Sequence, residues 1–435
     1  MKLSQHNNYE ILDLMNAIST ITNIPFEKVC HTGISTWWNN IILEKLSTGE
    51  CRFPTSKLEK KAYKGGLVIE PSIGYYNNQD VYVLDVKSLY PTMMINNNIS
   101  FDTVNCPCCP FSQRPEAVVS QEIMNLINDS LPEGEEREPY WICKDPLYKG
   151  IIPRLLTQYR KERFRHQEIG NNPKQLALKN LINGVYGLFG NKFFDYSDYR
   201  VAELTTAFGR QTLEYMQHIA KEVYGFTIIY GDTDSIFVTN LRNQNDINKF
   251  LAECSIALED VEIEVSKLYK KTLITKKKHY IGIPTDPSQS PDIKGFEGIK
   301  SDRPLWINLL QKGLVEDIKN DINTTINLKK AYLDMERGSV PADLLVVKSV
   351  LKKDPSQYSN NSYQRVVGTS LGAKEGDAIK YYKSNSKGKA HSNPSFLSRS
   401  KYLEMMKNTF EDQLMSLGYD FMKDVVGMTS LADLI

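Results

Sequence analysis

The chain has 435 residues, 53 Lys and Arg against 52 Asp and Glu for a net charge of +1, and is 41% hydrophobic and 24% charged. At ~100–200 residues per domain it holds two to four domains, so small-scaffold explanations drop out. No stretch lacks charge for the ~20 residues a bilayer needs, and the opening Met1-Lys2-Leu3-Ser4-Gln5-His6 lacks a signal peptide's apolar core, so a membrane or secreted class is not expected. With so little net charge, any nucleic-acid partner must be held by local patches. No repeat of 20–50 residues argues for a solenoid. Seven cysteines, with Cys106, Cys108 and Cys109 crowded together, do not suit a disulfide framework. A reducing, intracellular setting is expected, whether cytoplasm, nucleoid or nucleus.

In chain order, residues 1–50 read as helical. Ile11, Leu12, Met15 and Ile18 recur at helical spacing, as do Ile34, Trp37, Trp38, Ile41 and Ile42. Val81-Tyr82-Val83-Leu84-Asp85-Val86 is a buried strand ending in an acid, and Pro91 limits how far it continues. Residues 106–148, with CPCCP and an acidic run, read as an irregular, surface-exposed insertion. Helical spacing returns over 152–169 and 174–189, and Gly170-Asn171-Asn172-Pro173 between them makes a helical hairpin. Residues 226–230 and 235–238 are β-type runs flanking Gly231-Asp232-Thr233-Asp234, a β-hairpin with acids at its tip. Beyond 300 the pattern is mainly helical, broken at 354–362 and 384–395.

Asp85, Asp232 and Asp234 could be gathered by a sheet, and converging carboxylates need a cation. Hard oxygen ligands suit Mg²⁺, with Mn²⁺ as a substitute. A pair of such ions ~3.5–4 Å apart serves in-line phosphoryl transfer. Each aspartate taken alone reads more readily as a turn cap. Lys179, Asn183 and Tyr186 fall at i, i+4 and i+7, so one helix face offers a cation, an amide and a ring, which suits a nucleotide; an amphipathic helix with a solvated Lys is the plainer reading. Arg154, Arg160, Lys161, Arg163 and Arg165 form a basic cluster suited to phosphate oxygens. The run Lys267, Lys270, Lys271, Lys276, Lys277 and Lys278 exceeds what solubility needs and fits duplex phosphates. Cys106, Cys108, Cys109 and Cys143 could supply a zinc site; free thiols are the alternative.

Asp85-Val86-Lys87-Ser88-Leu89-Tyr90-Pro91 and Tyr230-Gly231-Asp232-Thr233-Asp234-Ser235 resemble motifs A and C of the family B DNA polymerases, and Lys179-x-x-x-Asn183-x-x-Tyr186-Gly187 resembles their motif B. Tyr63-Lys64-Gly65-Gly66 is similar to the family's Tyr-x-Gly-Gly element, and Lys278-His279-Tyr280 to its Lys-x-Tyr element; likeness continues through Lys294-Gly295-Phe296-Glu297-Gly298. All occur in the family's order, and a joint match is far more specific than one motif. The resemblance implies an α+β right-hand architecture with an antiparallel β palm, helical-hairpin fingers and a mainly helical thumb. The boundaries expected are a lead-in over 1–50, palm over 51–105, the cysteine-containing insertion over 106–148, fingers over 149–190, palm again over 191–300 and thumb over 301–435.

It further implies metal ligation by Asp85, Asp234 and the Val86 carbonyl, with Asp232 adjacent. Ser88 and Leu89 would hold phosphates through backbone N–H groups, Arg163, Lys179 and Asn183 would bind the nucleotide, and Tyr90 would pack beneath its sugar. Tyr186 and Gly187 would line the base-pair pocket, and Tyr63, Gly65, Gly66, Lys278 and Tyr280 would meet DNA. The lysine usual one turn after Arg163 is Gln167 here, with Arg165 a substitute. The expected activity is addition of dNTPs to a primer 3′-hydroxyl on a DNA template. A non-catalytic primer-template-binding subunit and an RNA-templated polymerase are the competitors. No Asp-x-Glu pair of a proofreading nuclease precedes Asp85, so proofreading is not expected from these residues; a truncated chain, a naturally short polymerase and one chain of a split enzyme with its nuclease elsewhere all fit. A sliding-clamp contact through 428–435 would lack the usual aromatic pair.

Overall fold

The computed structural model describes residues 5–50, 61–108, 115–241, 243, 245–258, 261–296, 303–385 and 393–428. Cys109, Glu297, Gly298 and residues 429–435 of the tail lie outside the described residues. In chain order the helices are α1 (Gln5–Thr22), α2 (Phe26–Cys30), α3 (Ile34–Ser47), α4 (Leu89–Asn96), α5 (Gln121–Asn128), α6 (Ile151–Glu168), α7 (Asn172–Phe189), α8 (Tyr199–His218), α9 (Asn245–Ala257), α10 (Leu305–Lys319), α11 (Thr324–Arg337), α12 (Tyr363–Ser370) and α13 (Arg399–Ser416). The strands are β1 (Val68–Ile69), β2 (Gly74–Tyr76), β3 (Val81–Val86), β4 (Thr227–Asp232), β5 (Ser235–Thr239), β6 (Ile263–Lys276), β7 (His279–Pro284), β8 (Asp292–Lys294), β9 (Val347–Val350) and β10 (Ala378–Tyr381). The chain is thus α+β, and the pairs β1–β4, β2–β6, β6–β7, β7–β8 and β9–β10 all run antiparallel. No helix among the described residues is long and apolar enough to cross a membrane.

Two compact units share the chain: Met1–Ile69, Leu84–Ile236 and Leu241–Ser266 form one, Glu70–Val83, Phe237–Asn240 and Lys267–Ile435 the other. In the first, the strand order is β1-β4-β5-β3-β6, of which Leu84–Val86 of β3, Ser235 and Ile236 of β5 and Ile263–Ser266 of β6 belong to this unit. β3 is buried at every residue except Asp85, as its unbroken apolar run requires. One hydrophobic core joins residues of α1, α3, α4, α6, α7 and α8. The apolar residues of 15–42 therefore buttress α7, while Ile11 and Leu12 are exposed. Trp38 is fully buried and its indole N–H donates to the Leu181 carbonyl at 3.1 Å, while a Cβ on Gly184 would sit 2.0 Å from Ile34 Cδ1. Removing a ring such as Trp38 from that core costs about 3–5 kcal/mol.

The hairpin α6–α7 forms as its turn signal demands. Gly170 takes φ 68, Asn171 caps α7 by accepting from the Lys174 N–H at 3.3 Å, and Pro173 sits in the first turn, where no N–H is needed. The start of α6 has no side-chain cap of its own. Instead Asp102 accepts from the Ile151 N–H at 3.2 Å and Asn98 from the Gly150 N–H at 2.8 Å, serving donors that a helix start leaves over. Residues 106–148 correct the expectation of an irregular exposed insertion. They contain α5, both sides of the isolated β-bridge Val118↔Trp141 and one side of Val104↔Ile142, and bury Ile123, Met124, Ile127, Tyr140 and Ile142. The acidic stretch 133–136 is exposed as expected.

In the second unit, β6 pairs with β2 and β7, and β7 with β8. Leu273, Ile281, Ile283 and Phe296 pack with Trp306, Ile307 and Leu314 of α10, Leu328 of α11 and Tyr402, Met406 and Phe410 of α13. Gln311 and Gln413, both wholly buried, exchange amide hydrogen bonds at 2.8 and 3.0 Å, which satisfies groups whose burial would otherwise cost ~1–3 kcal/mol each. β9 and β10 make a small separate sheet not foreseen in the mainly helical pattern after 300.

Candidate active site

Two backbone devices set the acids. The β4–β5 tip turns in the minimum number of residues: the Asp234 N–H donates back to the Asp232 carbonyl at 2.7 Å, with Thr233 between them at φ 63. That region is strained for a β-branched residue, and such strain persists only where the surroundings fix it. Here the Thr233 N–H is held by the Leu67 carbonyl at 2.8 Å. Next to it, a Cβ on Gly66 would lie 2.4 Å from Tyr90 Oη and 3.0 Å from Thr233 Cγ2, so the second glycine of Tyr63-Lys64-Gly65-Gly66 is required by close approach. Arg210, 1% exposed, fixes the same segment by donating to the Lys64 and Gly65 carbonyls at 3.0 and 2.9 Å.

The second device is the ladder. The Val86 N–H donates to the Asp234 carbonyl at 2.8 Å, and the Lys87 N–H to the Glu262 carbonyl at 2.9 Å. Asp85 is thereby flanked by Asp234 and the start of β6. Burial, then the charges of Asp234 and Glu264, push the Asp85 carboxyl up to about 7. Glu262 and Glu264 share Lys87, each at 2.9 Å, and Glu262 also meets Arg160 at 3.5 Å.

One cavity holds these groups. Asp85, Asp234, Glu262 and Glu264 face it, as do Lys87, Arg160, Arg163 and Lys179, so four carboxylates meet four cations. They are segregated: the acids belong to strands or strand ends, and three of the four cations to α6 and α7. Burial, with Arg160 beside it, pulls the Arg163 guanidinium below its usual range. Its buried Nε finds no hydrogen-bond partner among the described residues. An unmade bond of that kind costs ~1–3 kcal/mol, which an entering anion offsets. Ser88 Oγ donates to Asn183 Oδ1 at 3.4 Å, and Ser88, Leu89, Tyr90 and Asn183 complete the wall. Ser88 itself is left-handed, φ 51, at the start of α4.

Of the expected residues, Asp85, Asp234, Ser88, Leu89, Tyr90, Arg163, Lys179 and Asn183 meet in this cavity. Asp232 does not line it and instead accepts from the Thr233 hydroxyl at 3.0 Å. Arg165 is absent from the lining, where Arg160 and Gln167 stand with Arg163. Tyr186 packs against Tyr90 with ring centres 4.2 Å apart and planes tilted by 34°, and its hydroxyl bonds with that of Tyr63. Gly187 has open space where a side chain would be. In the second unit, Lys278 takes φ 62 at the β6–β7 turn, and Tyr280 packs edge-on to Phe237 at 5.1 Å. The basic run of β6 needs correction at Lys271. It is 8% exposed and donates to the Ile318 and Lys319 carbonyls at 2.9 and 3.0 Å, capping α10 rather than facing solvent. Glu262, Glu264 and Lys87 are the lining groups to which sequence reasoning gave no role, while Arg160 was read only as one of the basic cluster on α6. The alternation Glu262-x-Glu264 at a strand start was the available signal. Cys106, Cys108 and Cys143 converge away from the cavity.

Comparison with known proteins agrees with this architecture. The fold is similar to the solved structure of the family B DNA polymerase from Pyrobaculum calidifontis, with TM-score 0.68 and 23% identity, over 95% of this chain and 55% of that one. Residues 24–383 match DNA polymerase family B, and the chain belongs to that family. It is 28% identical to DNA polymerase 1 of Sulfurisphaera ohwakuensis, over 96% of this chain and 51% of the relative. It is 26% identical to the DNA polymerase alpha catalytic subunit of Xenopus laevis, over 74% of this chain and 23% of the relative. The chain therefore spans about half the length, or less, of these relatives.

Proposed function

We propose that the chain performs template-directed DNA synthesis, adding dNTPs to a primer 3′-hydroxyl with release of pyrophosphate. The observation that carries this reading is the segregated cavity, with Asp85 and Asp234 on the sheet side and Arg163 and Lys179 on the helices. Family membership supports the reaction class. We read the sheet of the first unit as palm, α6 and α7 as fingers and the helices after 301 as thumb.

The donor set fits a hard divalent cation, Mg²⁺ or Mn²⁺. Asp85, Asp234 and the Val86 carbonyl offer oxygen only, and crowding of like charge at Asp85 is what a cation relieves. When bound, such ions supply Lewis acidity that favours the attacking alkoxide and neutralises charge on the leaving phosphate. Glu264, not foreseen, adds a fourth oxygen donor.

The chain's own groups do the rest. Lys179 and Arg163 hold triphosphate oxygens by charge-assisted bonds, and the N–H groups of Ser88 and Leu89 take the outer phosphates. Tyr90, packed at a tilt against Tyr186 and backed by Gly209, gives the sugar a fixed floor on which a ribose 2′-hydroxyl would clash. Tyr63, Gly65 and Gly66 position that floor and the acidic tip, and reach DNA through the same segment. Lys278 and Tyr280 meet the primer-template backbone. The test is primer extension with a 3′-labelled primer, Mg²⁺ or Mn²⁺, and DNA against RNA templates. DNA-templated extension that vanishes without divalent cation is expected, and near-normal extension by Asp85→Asn overturns the assignment. Shortening of the primer without dNTPs reports any nuclease in the same preparation.

A further inference from the structure

The first unit holds a second cluster of reactive side chains that the polymerase reading leaves unused. Cys106 and Cys108 leave the turn after Asn105, and Cys143 lies on the segment that returns to it. The sulfurs of Cys106 and Cys108 are 3.3 Å apart, those of Cys108 and Cys143 3.6 Å, and all three fall within 4.8 Å of one another. Cys106 and Cys143 are each 2% exposed, packed with Ala117, Trp141 and Tyr148, while Cys108 is exposed.

The backbone around them is fixed on both sides. The Cys143 N–H donates to the Thr103 carbonyl at 3.0 Å, Trp141 Nε1 donates to the Cys106 carbonyl at 2.9 Å, and Asn98 Nδ2 donates to the Cys143 carbonyl at 3.1 Å. The backbone N–H of Asp145, two residues on, donates to the Cys143 sulfur.

A disulfide joins two sulfurs and leaves the third without a reason to be there. A metal gives all three one role. Thiolates are preferred Zn²⁺ ligands, and Zn–S bonds of ~2.3 Å in tetrahedral geometry put neighbouring sulfurs about 3.8 Å apart. The observed 3.3 and 3.6 Å lie close to that spacing without being bonded.

We infer that Cys106, Cys108 and Cys143 hold one structural Zn²⁺, which staples the two ends of the 106–143 segment. Each thiol gives up its proton to solvent as the ion binds, and the exposed Cys108 is the side from which the ion enters. The staple sits beside residues with a second task. Asn98 binds the Cys143 carbonyl with its amide N–H and the Gly150 N–H with its oxygen, and Asp102, next to Thr103, receives the Ile151 N–H. The ion therefore steadies the start of α6 through backbone already in place. Cys109 lies outside the described residues, and the inference rests on the three described thiols.

The experiment is metal analysis of the full chain purified from zinc-supplemented culture, with X-ray absorption at the zinc edge. About one zinc per chain with at least three sulfur neighbours near 2.3 Å is expected. Cys108→Ser, at the exposed position where folding is not at risk, and Cys143→Ser should each reduce bound zinc about tenfold or more. Cys30→Ser, at an exposed cysteine elsewhere, should leave it unchanged. Less than about one zinc per ten chains, a disulfide among these cysteines by mass spectrometry, or iron in place of zinc overturns the inference. So does full zinc content in Cys108→Ser together with Cys143→Ser.

Discussion

Asp85 and Glu203 are both carboxylates inside the first unit, and their surroundings are opposite. Asp85 is partly buried beside Asp234 and Glu264, and burial, then those like charges, push it up to about 7. Glu203 is 1% exposed and receives the Arg137 guanidinium at 3.3 Å and the Tyr140 hydroxyl at 2.7 Å. Arg137, itself 6% exposed, also donates to the Ala62 carbonyl at 2.8 Å. Burial pulls Arg137 down, but its bond to Glu203 and that charge outweigh it and hold it above its usual range. The fold neutralises one acid from within and leaves the other needing something from outside. Repulsion kept in a folded protein costs stability, and active sites are where that cost is tolerated.

The sharpest break in the comparison is to remove each acid. Asp85→Asn or Asp234→Asn should cut primer extension by at least about 10³-fold, on the scale seen when charge-stabilising groups leave a reaction centre. Thermal unfolding of either variant without metal should match or exceed the parent, because a repulsive charge is gone. Glu203→Ala should do the reverse. It strands Arg137 in the interior, a loss of about 3–5 kcal/mol, read as a lowered unfolding midpoint in denaturant. Activity per folded molecule should change little. Combining Arg137→Met with Glu203→Leu should recover part of that stability, since apolar replacement of a buried pair is often neutral. Loss of stability in Asp85→Asn equal to that in Glu203→Ala would erase the distinction.

That contrast also marks what a sequence can reveal. Asp85 and Asp234 were legible because strand runs and a hairpin turn surround them, and both are local patterns, whereas that Asp232 on the same tip stays out of the cavity was not. Lys179, Asn183 and Tyr186 were legible from helical spacing. Glu203 and Arg137 were not, since 66 residues separate them and nothing local tells a buried Glu in a helix from a solvated one. Lys271 misled for the same reason: its partners are carbonyls at the end of α10, 47 and 48 residues away. Residues 106–148 looked irregular because their helix is short and their pairings are isolated bridges. Glu262 and Glu264 were hidden by Lys87, whose bridge to both exists only once β3 and β6 are adjacent.

The comparison extends to cations, with a smaller effect. Lys179 is exposed on α7 and Arg137 is buried, so they should fail differently when removed. Lys179→Ala should leave the unfolding midpoint within about 0.5 kcal/mol of the parent, as surface changes do. It should raise the KM for the incoming nucleotide about 10–100-fold, the value of one charge-assisted bond of ~1.5–3 kcal/mol. A drop in stability with unchanged KM would move Lys179 from ligand binding to structure.

The smallest effect is the most direct probe of what Asp85 lacks. A cation that binds only the folded chain stabilises it by about 2.7 kcal/mol at a hundredfold excess over its dissociation constant. In a chain of this size that raises the melting temperature by roughly a few degrees. Mg²⁺ or Mn²⁺ should therefore raise the midpoint of the parent protein and of Lys179→Ala. The shift should shrink in Asp85→Asn and Asp234→Asn, where one oxygen charge is gone, and persist in Glu203→Ala, whose fault lies elsewhere. Zinc must be held constant across the series, so that Cys106, Cys108 and Cys143 do not contribute to the difference. An equal shift in all five proteins would mean that the cation binds at the surface, and that the crowding around Asp85 serves the fold alone.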